Sequence, residues 1–168
     1  MRFGQLDYEI QQCEKHLRET RTRNTEIENS LVRYLLIRIC AEYERRIEVL
    51  VQRRCGRIND RHVLNFANWG IEMATKRFKI ENLIELLSKF GDDYQKTFKD
   101  ALGKQTSKQN WQIAWDNIVT NRHTVAHGRG PVMMTLTDLK NQYYSSLVVI
   151  DELVKALRLR GKDIAGLK

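Results

Sequence analysis

The sequence predicts an all-α protein, a bundle of five to six helices in which the second helix is long. Apolar residues recur at spacings of three and four through most of the chain, which is the period of a helix rather than of a strand. The 168 residues include a single proline, Pro131, and nine glycines, so little interrupts helix formation. No repeat, low-complexity tract or linker divides the chain, and we expect residues 1–168 to form a single domain.

The first two helices are predicted from their apolar spacing and their ends. The first runs from about Gln5 to Thr20. Its apolar face comprises Leu6, Ile10, Cys13 and Leu17. The second begins after Asn24-Thr25, where a side-chain oxygen can cap the helix and acids follow in the first turn. It continues for about 30 residues to Arg54 or Cys55, and Gly56 is predicted as the C′ glycine that ends it.

Three shorter helices are predicted in the middle of the chain, and the last of them is a short one that is not counted among the five to six main helices. Their expected ranges are Asn59-Asp60 to Lys76 or Arg77, Ile80 to Phe90, and Asp92 to Leu102. Gly70 is expected to disturb the first of them, because glycine in a helix costs about 1 kcal/mol relative to alanine. In the last of them, Tyr94 and Phe98 are expected to point into the core.

Two further helices complete the predicted bundle. One begins near Ser107, contains Trp111 and Trp115, and ends before a run of helix-breaking residues. These breakers are Gly128, Gly130 and Pro131. The other begins at Thr135 or Thr137 and ends at Gly161, and residues 162–168 are predicted to be a frayed tail.

The charge balance favours a polyanionic partner. Lys and Arg outnumber Asp and Glu by 29 to 21, and nucleic acid is the first polyanion to consider, although a basic surface can also serve solubility alone. The charged residues from Met1 to Glu19 contain no apolar stretch typical of a signal peptide, so none is expected, and no apolar run is long enough to span a membrane. The three cysteines form no CxxC pair and are expected to be buried thiols of a reducing, cytoplasmic environment.

The candidate site is the segment from Asn121 to Gly128, which reads NRHTVAHG and lies at the end of the tryptophan-containing helix. Arg122 supplies a permanent cation whose planar fork of donors suits phosphate. His123 and His127 are four residues apart and share a helix face, and imidazole exchanges protons near neutral pH. This combination indicates phosphodiester chemistry. A histidine accepts the 2′-hydroxyl proton of RNA and the arginine offsets the charge of the transition state.

Two other interpretations compete at the same residues. His-x-x-x-His is a zinc-binding spacing, but Thr124 stands where a zincin has glutamate, and Arg122 would repel a cation. We therefore expect neither a metal nor another cofactor. The basic residues can also simply complement the negative end of the helix dipole. Capping explains the combination of Asn121, His123 and Gly128 less well.

The segment resembles the HEPN superfamily of helical proteins, which includes many prokaryotic toxin and defence ribonucleases. Arg122, four intervening residues and His127 match its R-x(4–6)-H motif. The wider string from Trp115 to Ile118 and from Asn121 to Gly128 looks like the RiboL-PSP-HEPN or MAE-type branches. The resemblance implies a metal-independent endoribonuclease that works as a homodimer, with Arg122 and His127 of two subunits in one composite site, and with Asn121 and His123 in support. It also implies a possible antitoxin or sensor protein as partner.

One departure concerns Arg129. In HEPN toxins paired with nucleotidyltransferase antitoxins, a tyrosine follows the histidine by two places, and here that position is Arg129. Silencing by modification of that tyrosine is therefore not expected. The same fold can also serve as a non-catalytic module that binds RNA or nucleotide, or as a dimerisation module, and these remain alternatives to the enzyme.

The long second helix adds candidate supporting residues. Glu44 has apolar residues three, four and seven positions away on the same helix, and an acid with such neighbours is usually paired with a basic group. We predict that it reaches a basic group such as Arg122, the alternative being a local pair with Arg45 or Arg46. A basic run is predicted to contact RNA, or else to be an ordinary solvated helix face. Its candidate RNA-binding residues are Arg45, Arg46, Arg53, Arg54 and, after the motif, Arg129.

Overall fold

The computed structural model describes residues 3–74, 78–104, 110–126 and 132–164, with the side chains of a few positions in the third and last helices left aside. Eight helices and no strand lie within these ranges. They are α1 (Gly4–Thr20), α2 (Glu26–Cys55), α3 (Arg61–Ala74), α4 (Ile80–Ser88), α5 (Asp92–Gly103), α6 (Trp111–Ala126), α7 (Leu136–Ala156) and α8 (Gly161–Ile164). The predicted all-α fold with a long second helix is confirmed, but the described residues form eight helices where five to six were predicted, and the short α5 and α8 account for the difference.

The core lies where α2, α6 and α7 pack against one another, with α1, α4 and α5 around them. The apolar face predicted for α1 is buried in full, as are Tyr94 and Phe98 of α5. Each aliphatic side chain removed from water in this way contributes about 1.5–3 kcal/mol to stability. The three cysteines are buried and make no disulfide.

The start and the end of α2 follow their predictions, but the backbone conformation at Gly56 does not. The Thr25 side chain accepts a hydrogen bond from Ile27 N at 3.2 Å, so this residue is the N-cap. Gly56 has φ −61° and ψ −4°, a right-handed conformation that any residue adopts, and its N donates to Gln52 O at 2.7 Å. The predicted C′ glycine is therefore wrong, because the helical turn continues through Gly56 instead of reversing there.

The expected disturbance at Gly70 is also absent, since α3 runs through this residue without a break. A penalty of about 1 kcal/mol is too small to interrupt a helix that packs on its neighbours. The predicted end of this helix at Lys76 or Arg77 and the predicted start of α6 near Ser107 lie outside the described residues.

The last long helix begins as predicted and ends earlier than predicted. Thr135 and Asp138 form a reciprocal capping box at the start of α7. The helix ends at Ala156, because Arg158 adopts a left-handed conformation with φ 55° and the chain turns back at Leu159, whose N donates to Val154 O at 3.0 Å. The end predicted at Gly161 is therefore wrong. Gly161 starts α8, so residues 162–164 are helical and not a frayed tail, while 165–168 lie outside the described residues.

Candidate functional site

Aromatic packing fixes the helix that contains the motif. The Trp115 ring stacks on Tyr43 of α2, with centroids 4.1 Å apart and an interplanar angle of 5°. Its indole Nε1 donates to Phe78 O at 2.6 Å. Asp116 accepts a hydrogen bond from Ile80 N at 3.0 Å and so joins α6 to the start of α4. Trp115 and Asp116 therefore hold α6 against α2 and against the segment that begins α4, and the last turns of α6 extend from this anchored part.

Arg122 and Glu44 meet at the junction of α6 and α2. Glu44 Oε1 lies 3.9 Å from Arg122 Nη2, and the two side chains are 35% and 33% exposed. The structure thus brings together the two residues that the sequence pairs. The alternative partners of Glu44 are engaged elsewhere, because Arg45 and Arg46 both form ion pairs with Glu42. The pair is half-buried, so a ligand in solvent can still approach the guanidinium.

The surroundings of this pair favour the neutral form of its acid. Burial raises the pKa of Glu44, and the positive charge of Arg122 offsets only part of that effect. Beneath the pair, burial raises the pKa of the Cys40 thiol to about 12. Cys40 therefore stays protonated at neutral pH and offers no thiolate nucleophile.

The remaining motif residues are described only in part. Asn121 Nδ2 donates to Asn117 O at 2.8 Å, so this side chain bonds back along its own helix. His123 lies exposed in the last turn of α6. His127 and Arg129 lie outside the described residues, and their predicted roles stay predictions.

The predicted RNA-binding arginines of α2 do not gather around Arg122. A helix turns by about 100° per residue, which places Arg46 and Arg53 on the side of α2 opposite Glu44. Arg46 is 4% exposed, and its guanidinium lies 4.7 Å from the centre of the Phe3 ring. Burial alone would raise the pKa of Glu42, yet hydrogen bonds from Arg45 and Arg46 lower it overall, so these three residues form a tight ionic group.

Arg53 and Arg54 meet residues that the sequence does not single out. Arg53 bonds the backbone oxygen of Asp163 in α8. Arg54 donates a hydrogen bond to the hydroxyl of Tyr94, and the guanidinium of Arg158 lies over the ring of the same tyrosine. These partners are 40 or more residues away along the chain, so no local pattern could have indicated them.

In the described part of the chain, no three His, Cys, Asp or Glu side chains are grouped so as to hold a metal ion. None of the described helices combines the length and the apolar character needed to cross a membrane.

Comparison with known proteins identifies the family to which this helical fold belongs. The family model of RiboL-PSP-HEPN matches residues 4–158, which include every long helix and the Glu44–Arg122 pair. The chain belongs to the RiboL-PSP-HEPN family, within the HEPN superfamily of helical proteins. No curated protein and no solved structure matches it.

Proposed function

We propose that this protein is a metal-independent endoribonuclease that cleaves RNA by attack of the 2′-hydroxyl. The observation that carries the proposal is the Glu44–Arg122 pair, a half-buried cation held at the end of a rigid helix in a chain of the HEPN superfamily. A guanidinium used only to cap a helix has no need of a carboxylate from another helix. At 3.9 Å the two groups attract each other without a hydrogen bond, so the N–H donors of Arg122 stay available for a phosphate.

The proposed reaction needs no group beyond side chains and the RNA itself. His127 accepts the proton of the 2′-hydroxyl, and the O2′ forms a bond to the adjacent phosphorus. Arg122 stabilises the charge that gathers on the phosphate oxygens, while Glu44 orients the guanidinium. The bond from phosphorus to O5′ then breaks, and the leaving oxygen takes a proton from a second imidazole. The products are a 2′,3′-cyclic phosphate and a 5′-hydroxyl.

The second imidazole comes from a second copy of the chain in this proposal. Tyr34 and Ile37 are 47% and 49% exposed on α2 and lie three residues apart, so they are neighbours on one side of the helix. Ile37 lies two turns before Glu44 and therefore on nearly the same face. A homodimer whose interface covers Tyr34 and Ile37 would bring the two copies of Arg122 and His127 towards one cleft, with Asn121 and His123 at the rim of that cleft.

The biological role proposed on this basis is that of a prokaryotic toxin or defence effector in the cytoplasm, with an antitoxin or sensor protein as possible regulator. Family membership supports this role only at the level of the superfamily, whose members include both ribonucleases and nucleotide-binding modules.

The deciding experiment incubates the purified protein with RNA in the presence of a chelator. We expect fragments that end in a 2′,3′-cyclic phosphate and begin with a 5′-hydroxyl, and no cleavage of DNA of the same sequence. A single 2′-deoxy substitution at the cut position should protect that position, and the Arg122→Ala variant is the control for a contaminating nuclease. Binding without cleavage would replace the enzyme by an RNA-binding module. If RNA is neither bound nor cut, a dimerisation module remains.

A further inference from the structure

We propose that a cluster of arginines at the end of α2 binds the phosphate backbone of single-stranded RNA at a distance from the cleavage site. The arginine cluster consists of Arg53, Arg54, Arg57 and Arg158. The inference rests on the proposed function for its choice of RNA as the polyanion. Its geometry is independent of Arg122.

Two helix ends bring the cluster together. Arg57 follows the end of α2, and Arg158 follows the end of α7. The Arg57 guanidinium donates to the backbone oxygen of Arg158 at 3.4 Å and to Asp163 Oδ2 at 2.6 Å. Residues about a hundred positions apart in sequence therefore present their positive charges on one surface.

Tyr94 holds two of these guanidinium groups without neutralising them. The centre of its ring lies 4.7 Å from Arg158 Cζ and 5.3 Å from Arg54 Cζ, and its hydroxyl accepts a hydrogen bond from Arg54. Stacking on an aromatic ring fixes the plane of a guanidinium while its N–H edge stays available. Such preorganised donors lose little side-chain entropy when a phosphate binds.

Two arginines of the cluster pair with a carboxylate, Arg57 with Asp163 and Arg158 with Asp93. Arg54 meets no carboxylate within the described ranges. The pair between Arg158 and Asp93 spans 3.4 Å with the aspartate side chain 81% exposed, and an ion pair so open to water is weak. A phosphate can therefore displace Asp93 at little cost.

The position of the cluster separates it from the proposed catalytic pair. Arg54 follows Glu44 by ten residues on one continuous helix, a distance of about 15 Å. The cluster would thus contact phosphates several nucleotides away from the bond that is cut. Its contribution is to binding of a long substrate, through release of counterions from the RNA.

The test measures binding of a 2′-O-methyl RNA oligonucleotide, which lacks the attacking hydroxyl and cannot be cut. The variant is Arg57→Gln/Arg158→Gln, whose side chains are 39% and 54% exposed in the wild type. The matched control is Arg18→Gln/Arg21→Gln at the end of α1, which makes the same change of charge at exposed positions. Arg21 has φ 54°, so it also matches the left-handed backbone of Arg158.

We expect the cluster variant to bind the RNA about tenfold more weakly than the wild type. The slope of the logarithm of the binding constant against the logarithm of the salt concentration should fall in magnitude by about 1.4, because each phosphate contact on a single strand contributes about 0.7. The control should keep the wild-type slope. Equal salt-dependence slopes for the cluster variant and the control variant would overturn the proposal. Displacement of the RNA by an amount of polyglutamate that carries the same total charge would also overturn it. If the double variant does not fold, Arg158→Gln compared with Arg21→Gln makes the same comparison. Because the 2′-O-methyl RNA cannot be cleaved, the binding result does not depend on whether the protein is a nuclease.

Discussion

Tyr43 stacks face to face on Trp115, and each of these residues lies close to one half of the candidate ion pair. Tyr43 immediately precedes Glu44 on α2, and Trp115 lies two turns before Arg122 on α6. The stack therefore sets the relative position of the two helices where the pair forms. A fully buried aromatic contact of the core and the ion pair of the candidate site therefore lie side by side.

We expect Trp115→Ala to lower the free energy of unfolding by about 3–5 kcal/mol, because it leaves a large cavity and removes the hydrogen bond to Phe78 O. Urea unfolding followed by circular dichroism measures the change. Ile113→Ala is the control on the same helix, since Ile113 is 53% exposed and its truncation should cost about 0.5 kcal/mol or less. Similar losses in the two variants would mean that the stack does not anchor α6.

Arg122→Ala and His127→Ala should each reduce RNA cleavage by about 10²–10⁴-fold while the unfolding transition stays in place, as expected for a group that acts on the transition state. Initial rates on one RNA substrate measure this. Mixing the two inactive variants should not restore full activity if every composite site needs both pairs. A wild-type rate in either single variant would refute the assignment of the site.

Much of the fold and part of the site could be predicted because they depend on local periodicity. The α1 face and the partly buried position of Glu44 follow from residues three, four and seven apart on one helix, whereas the contact of Glu44 with Arg122 joins two helices. The end of α7 could not be predicted from Gly161, because Arg158 takes the left-handed position usual for glycine, and the end of α2 falls at Gly56 as predicted although this glycine keeps right-handed dihedrals. The contacts of Tyr94 with Arg54 and Arg158 depend on how helices pack, which a one-dimensional pattern does not contain.

Glu44→Gln tests whether the acid positions the arginine. The amide keeps the shape of the side chain but loses its charge, so Arg122 is held less firmly and cleavage should slow by about 10–100-fold. A drop in kcat with little change in KM is expected, since substrate still meets the guanidinium. Glu48→Gln, one turn further along α2, is the control. Unchanged cleavage by a folded Glu44→Gln protein would remove Glu44 from the site.

The same variant carries a prediction about pH. Burial raises the pKa of Glu44, so the folded protein binds this proton more tightly than the unfolded chain does. The resulting stabilisation is complete below the pKa of the unfolded chain and is lost as the pH rises through the folded pKa. As the pH rises from about 4 through the raised pKa of Glu44, the stability of the wild type should therefore fall relative to Glu44→Gln. Thermal unfolding of both proteins across this range measures the difference, and an opposite trend would show that attraction to Arg122 outweighs burial.

Glu28 supplies the last prediction, which concerns stability and not catalysis. Its carboxylate is 4% exposed and accepts hydrogen bonds from Asn24 N at 2.6 Å and from Leu136 N at 3.0 Å. It thereby ties the α1–α2 turn to the first residue of α7. Glu28→Ala leaves two donors without an acceptor, at about 1–3 kcal/mol for each that remains buried.

Urea unfolding should show this loss in Glu28→Ala and a smaller one in Glu28→Gln, whose amide oxygen still accepts one bond. Glu26→Ala is the control in the same first turn, where an exposed acid contributes about 1 kcal/mol or less through the helix dipole. If Glu28→Ala and Glu26→Ala lose the same stability, the carboxylate of Glu28 acts only on the dipole of its own helix. Its hydrogen bonds between the α1–α2 turn and the start of α7 then contribute nothing to the free energy of unfolding.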